Sequence, residues 1–227
     1  MLQLVIGNKN YSSWSMRPWV LMRHFGIAFD EVKLRFDFSA GSAFYRELAR
    51  YTPAGCVPVL LIDGFAVWDT LAIAETLADL HAALPIWPCE PLDRARARSL
   101  AAEMHAGFSA LRSHFPMNIE ASLPEVGARL LAAEPATQRD LARIDAMWSE
   151  RLQQSGGPFL FGPFGAIDAY FAPVVARTRC YALPLSTTAQ AYADRVWAAS
   201  GVNAWVADAT AERDFLDFEE PYRKAPA

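Results

Sequence analysis

Three hydroxyls within four residues, Ser12, Ser13 and Ser15, sit in the stretch Asn10–Trp19 (NYSSWSMRPW), which directly follows the apolar run Leu2–Ile6. A strand that runs out through serines into a helix opening at Pro18 sets side-chain hydroxyls beside unpaired backbone N–H groups. An anion or a thiolate is stabilised in such a place. Two distant stretches offer it partners: Val57 and Pro58 in AGCVPVLLIDG, and Asp69 and Thr70 in VWDTLAIAETLADL. A turn at Val57–Pro58 exposes the backbone N–H and C=O of Val57 to an extended peptide ligand. Asp69 and Thr70, at the start of a helix, would pair with an ammonium group and hydrogen-bond a carboxylate.

Each piece also has a purely structural reading. Serine, aspartate and threonine are ordinary helix caps. Proline commonly starts a strand, and a cis bond occurs in only about 5–6% of X–Pro pairs. The order of the pieces outweighs any one of them. Hydroxyls after the first strand, Val–Pro before the third and Asp–Thr after the fourth all converge on one edge of a small sheet.

The elements that would hold these residues follow from hydrophobic periodicity. Leu2–Ile6 reads as a buried strand, Met16–Phe25 as a helix stopped by Gly26, and Phe29–Phe36 as a second strand. The region 39–51 is ambiguous and partly helical. Val59–Ile62 and Phe65–Trp68 flank Asp63-Gly64, a hairpin signal. Ile73, Leu77, Leu80 and Leu84 mark one face of a helix starting near Thr70. Proline-rich LPIWPCEP (84–91) reads as a linker. Beyond it the pattern is helical: one segment carrying Leu100, Met104, Phe108, Leu111 and Phe115, then helices near 125–133, 137–154, 167–181 and 189–199, with a tail after Phe218 expected to fray.

Composition narrows the function class. The chain has 227 residues, 53% of them hydrophobic and 12% aromatic, enough for a substantial core. A net charge of −4 with scattered basic residues argues against nucleic acid or an anionic membrane as partner, and favours a small ligand. No apolar run spans a bilayer and no leader pattern is present, so a cytoplasmic location is expected. Three dispersed cysteines, Cys56, Cys89 and Cys180, suit reduced thiols better than disulfides or a metal cage.

The assembled constellation resembles the glutathione transferase family. SSWSMRPW resembles the SSCSxRVR motif of the zeta class, GCVPVLLIDG the cis-proline segment, WDTLAIAETLADL the acidic-hydroxyl-AI helix start, and FLFGPFGAIDAYFAPV the FGxxSxADxxxAP folding segment. The resemblance implies a thioredoxin-like α/β domain over 1–83, an all-α domain over 92–227 and a homodimer. It implies a serine hydroxyl, Ser12, facing the sulfur of glutathione as co-substrate, with no metal. Val57 and Pro58 would meet the cysteinyl backbone, Asp69 and Thr70 the γ-glutamyl end, and Asp168 would serve folding. Three departures stand out: Trp14 occupies the place of the zeta cysteine, Cys56 that of a lysine or glutamine, and Gly165 that of a capping hydroxyl.

The energetics suit this role. A thiol of pKa about 8.5 must be acidified to react at neutral pH. A hydroxyl hydrogen bond of roughly 1.5–3 kcal/mol plus roughly 0.3–1 kcal/mol from a helix start lowers that pKa by about one to three units. The expected activity is conjugation or glutathione-dependent isomerisation of a small electrophile, as in detoxification. Trp14, Met104, His105, Phe108 and Arg112 form the candidate acceptor pocket, although Met104 and Phe108 equally fit a helix core face. Two rivals are a non-catalytic glutathione-transferase-like binding or interaction module, and thiol–disulfide exchange through Cys56.

Overall fold

The computed structural model describes residues 1–224. Its strands β1 (Leu2–Ile6), β2 (Asp30–Lys33), β3 (Val59–Ile62) and β4 (Phe65–Trp68) form one sheet in the order β2-β1-β3-β4. β2 runs parallel to β1, and β3 antiparallel to both β1 and β4. The β3–β4 turn uses positive φ at Asp63 (48°) and Gly64 (88°), the backbone that Asp-Gly supplies in a tight hairpin. Helices α1 (Ser13–His24), α2 (Ala43–Leu48) and α3 (Thr70–Leu80) complete this α/β part. Everything after it is helical: α4 (Pro91–Ala106), α5 (Ser109–His114), α6 (Pro124–Ala133), α7 (Pro135–Ser155), α8 (Ala166–Cys180), α9 (Thr187–Ala198), α10 (Ser200–Glu212) and a short 3-10 turn, Asp217–Glu219. Among the described residues no helix is long and apolar enough to cross a membrane.

Four expectations need correction. Pro18 does not open α1 but lies inside it, because the helix already starts at Ser13 with Ser12 as its N-cap. The single segment through Leu100 and Phe115 is two helices. Gly107 ends α4, and Phe108 adopts a left-handed backbone (φ 54°) before α5 turns away. α10 escaped the periodicity reading. Its Gly201 has a packing reason, since a Cβ there would lie 2.4 Å from the Val20 carbonyl oxygen, so α10 rests backbone-close on α1. Finally, the tail is docked as far as Arg223. Glu220 is buried and accepts hydrogen bonds from Tyr11 Oη (2.8 Å), Asn118 Nδ2 (2.9 Å) and Arg223. The rest of that expectation, residues 225–227, lies outside the described residues.

One large apolar cluster joins the sheet side to the helices, with Leu4, Ile6, Trp19 and Leu60 in contact with the same body as Trp148, Phe171 and Trp205. α8 runs through its middle, almost wholly buried. The missing hydroxyl at Gly165 is explained here. A Cβ at Gly165 would approach the Ile86 carbonyl oxygen to 3.0 Å, and that same carbonyl accepts the first N–H of α8, from Ala166, at 2.8 Å. The 84–91 connection thus caps α8 with its own backbone, and Asp168 closes the other half by accepting from Gly165 N at 2.9 Å.

Candidate active site

A cavity of about 460 Å³ opens between the sheet edge and the helices. The α/β part contributes Tyr11, Ser12, Ser13, Trp14, Phe36, Cys56 and Val57, and the helical part contributes Ser109, Arg112, Pro116, Met117, Arg177 and Glu219. Hydrogen bonds made by Asn8, Lys9, Asn10 and Tyr11 hold the β1–α1 loop against the helical part and its tail. Asn10 Oδ1 accepts from Ile119 N (2.7 Å) and Glu120 N (3.0 Å), and Tyr11 Oη donates to Glu220 as above. Burial pushes the Tyr11 phenol up to about 12, so this hydroxyl stays protonated and committed to the tail.

The serines are not equivalent. Ser12 is buried, and its Oγ donates to Ser15 Oγ at 2.7 Å, while Ser15 Oγ also accepts from Gly7 N at 3.2 Å. Ser12 makes no side-chain cap to α1, so the first N–H groups of that helix receive no hydroxyl from it. Ser13, half-buried, lines the cavity beside Ser12 with a freer hydroxyl. The Val57–Pro58 bond is cis, and Val57 reaches the cavity wall.

Asp69 and Thr70 stand apart from this cavity lining, at the start of α3. Asp69 has φ 73°; its Oδ1 caps Leu71 N at 2.8 Å and its Oδ2 lies 3.2 Å from His105 Nε2. Thr70 is buried, and its Oγ1 accepts from Tyr170 Oη at 2.7 Å. Of the expected acceptor residues, the cavity brings together Trp14 and Arg112 only. Met104 is fully buried in the core and Phe108 nearly so, both turned inward by the break between α4 and α5. His105 packs edge-on against Trp14, with ring centroids 5.0 Å apart, and serves the Asp69 side.

The charge on the cavity wall was only half expected. Arg112 and Arg177 both line it, and among the described residues neither has a carboxylate within ion-pair distance. Backbone oxygens hold them instead: Arg177 Nε donates to Phe115 O (2.8 Å) and Nη1 to Pro173 O (3.1 Å), and Arg112 Nη1 donates to His105 O (3.3 Å). Burial lowers Arg177 to about 10, still cationic at neutral pH. Arg177 was missed in the sequence, although a lone arginine inside the apolar run AYFAPVVAR is the signal that marks it. Glu219 is the acidic lining residue, its carboxyl pushed up to about 6 by burial and the neighbouring Glu220.

Residues 11–80 match the family model of the glutathione S-transferase amino-terminal domain. Through these residues the chain is similar to the glutathione transferase family. Rat maleylacetoacetate isomerase is 26% identical over 77% of this chain and 76% of its own length. The Rhizobium meliloti maleylacetoacetate isomerase is 38% identical over 40% of this chain. The chain spans less than half of the Rhizobium protein's own length, at 41%. Among solved structures, a Burkholderia glutathione transferase homolog with bound glutathione superposes with a TM-score of 0.68 at 22% identity, covering 92% of this chain and 98% of that one. The glutathione transferase architecture, a thioredoxin-like sheet domain followed by helices, is therefore the architecture of this chain. Among its described residues no group of three metal-ligating side chains occurs.

Proposed function

We propose that the chain is an enzyme that binds glutathione at the edge of its sheet, ionises the thiol beside Ser12 and Ser13, and presents the thiolate to a small electrophile carrying a carboxylate. The observation that carries this reading is the composition of the cavity at the sheet edge: hydroxyls and the Val57 loop on the sheet side, two guanidiniums without a carboxylate partner on the helical side. The name shared by the rat and Rhizobium relatives, maleylacetoacetate isomerase, points to the same acceptor class. With Trp14 in the place of the zeta cysteine, this reading gives the sulfur chemistry to glutathione, and Cys56, the free thiol on the cavity wall, takes no part in it. In an isomerisation, its thiolate adds to a conjugated C=C, the resulting single bond rotates, and elimination returns the thiolate and the isomerised alkene. In a conjugation the adduct is released.

Ser12 and Ser13 divide the work in a testable way. Losing a hydrogen bond to the thiolate is worth about 1.5–3 kcal/mol, or roughly 10- to 150-fold in kcat. Ser13→Ala is expected to lose that factor if the freer hydroxyl faces the sulfur, and Ser12→Ala if the hydroxyl bonded to Ser15 turns to it. Steady-state rates alongside glutathione affinity separate the two. Full activity in the double variant would remove serine activation. A non-catalytic binding module would instead take up glutathione calorimetrically and turn over no acceptor, and a chain that ignores glutathione fails the proposal altogether.

The same reading includes a homodimer. Phe65 (73% exposed) and Trp68 on the edge strand β4, with Leu92 (84%) on α4, are large apolar side chains left in water. Edge strands of this kind invite pairing unless they are covered. Trp68→Glu combined with Phe65→Glu is expected to halve the mass seen by light scattering; a wild type already at 25.1 kDa would contradict the dimer.

A further inference from the structure

Glu219 is the carboxyl that the cavity wall leaves uncommitted. It is half-buried, and its side chain has no hydrogen-bond or ion-pair partner among the described residues. The next residue, Glu220, takes the partners instead: Tyr11 Oη at 2.8 Å, Asn118 Nδ2 at 2.9 Å and Arg223 Nε at 2.8 Å. That division fixes where Glu219 stands. Tyr11 precedes Ser12 in the chain and Glu220 follows Glu219, so the Tyr11–Glu220 bond ties the serine loop to the segment carrying the free carboxyl. Leu216 N also donates to Tyr11 Oη (3.2 Å), and Phe218 packs against Phe38 of the cavity wall with ring centroids 5.3 Å apart. The 3-10 turn Asp217–Glu219 is thus held from both sides, with Glu219 on the wall that also carries Ser12 and Ser13.

We infer that Glu219 is a further catalytic residue, the proton donor when glutathione adds to a conjugated alkene; the inference rests on the glutathione reading above. As the thiolate adds, a C–S bond forms and the C=C π bond breaks, its electrons passing to the carbon beside the carbonyl as an enolate. The Glu219 O–H gives its proton to that carbon, the O–H electron pair stays on the carboxylate, and water returns the proton. Addition is reversible until that proton arrives, so the donor sets how much adduct is kept. Burial and the adjacent Glu220 raise the Glu219 carboxyl to about 6, near the value that suits a general acid at neutral pH. The ionisable groups around it have other places or partners. Asp217 is exposed, Arg223 pairs with Glu220 and Glu120, Tyr11 is bound to Glu220, Cys56 lies on the sheet side, and Arg112 and Arg177 stand on the helical side.

The test compares two glutathione acceptors that each carry a carboxylate, an α,β-unsaturated keto acid and a halonitrobenzoate. Substitution on the aryl ring expels halide with its electron pair and needs no proton at carbon. In Glu219→Gln, which keeps the size of the side chain but has no acid proton, the ratio of kcat/KM for addition over substitution is expected to fall roughly 100-fold. A fall of less than about tenfold, including equal losses for both acceptors, overturns the assignment and leaves Glu219 as a residue that shapes the cavity. The wild-type ratio should also decline as pH rises through about 6, because ionisation of the thiol affects both reactions alike and cancels. A flat wild-type ratio overturns the assignment, and so does a decline that persists in Glu219→Gln. If Glu219→Gln does not fold, the wild-type profile alone decides. A wild type that substitutes the aryl halide but adds to no alkene overturns this inference only, and one that turns over neither acceptor overturns the functional reading and this assignment with it.

Discussion

Asp168→Ala is expected to cost at least about 3 kcal/mol of folding stability. The wild-type carboxylate is fully buried and accepts from Gly165 N (2.9 Å), Leu160 N (3.3 Å) and Tyr192 Oη (2.8 Å). Alanine abandons three buried donors at once, each leaving an unmet group worth about 1–3 kcal/mol. Against an ordinary stability of about 5–15 kcal/mol, that loss is a large share of the whole. Urea unfolding followed by the fluorescence of the seven tryptophans measures it. Tyr192→Phe removes one donor and should cost about 1 kcal/mol, and the double variant less than the sum, because the partners are shared. Asp168 does not line the cavity, so the surviving folded fraction should bind glutathione as the wild type does. A stable but inactive Asp168→Ala would make it a functional residue instead.

A pH dependence accompanies this. Burial raises the Asp168 carboxyl to about 6 despite the hydrogen bonds that pull it down. The folded pKa lies above the unfolded value of about 3.9, so the folded state holds the extra proton between them. The contribution is therefore complete below about pH 4 and is lost as pH rises through about 6. Asp168→Asn cannot titrate, and the difference between its stability profile and the wild type's should decline across that window. A flat difference would show that Asp168 folds with an unshifted pKa.

What the sequence makes legible here is local, and what it hides depends on tertiary contact. The Asp63-Gly64 hairpin and the start of α3 at Thr70 are written in turn chemistry and capping, which need only near neighbours. The break at Gly107–Phe108 is not. Leu100, Met104, Leu111 and Phe115 keep helical spacing across it, and only the left-handed Phe108 backbone redirects α5, carrying Arg112 to the cavity and leaving Met104 in the core. The tail is hidden in the same way. EEPYR looks solvated, but Tyr11 and Asn118, more than 100 residues upstream, bury Glu220. The Gly165 departure seems a weakness in the motif until the Ile86 carbonyl is seen to fill the capping role. At the site, the residue types were readable and their partners were not. Ser12 is tied to Ser15, His105 to Asp69, and Arg177 joins Arg112 only through the fold.

Arg112→Gln is expected to lower kcat/KM at least about 30-fold for an acceptor bearing a carboxylate. Removing one partner of a desolvated charge pair costs about 2–5 kcal/mol. Arg112 is the cleaner position to change, because Arg177 also holds the Phe115 and Pro173 carbonyls and its loss would disturb α8. The glutamine keeps length and a hydrogen-bond donor but no charge, so its defect should follow the acceptor's charge. A neutral aryl halide of similar size should be turned over at close to the wild-type rate, and glutathione affinity should be unchanged, since the hydroxyls and Val57 stand on the opposite wall. The acceptor charge and the protein charge thus form a two-by-two cycle, in which a coupling factor above about ten assigns the carboxylate to Arg112. Equal losses for charged and neutral acceptors would mean that Arg112 shapes the cavity through its contacts with Trp14 and the His105 carbonyl, and that the acceptor's charge is read elsewhere.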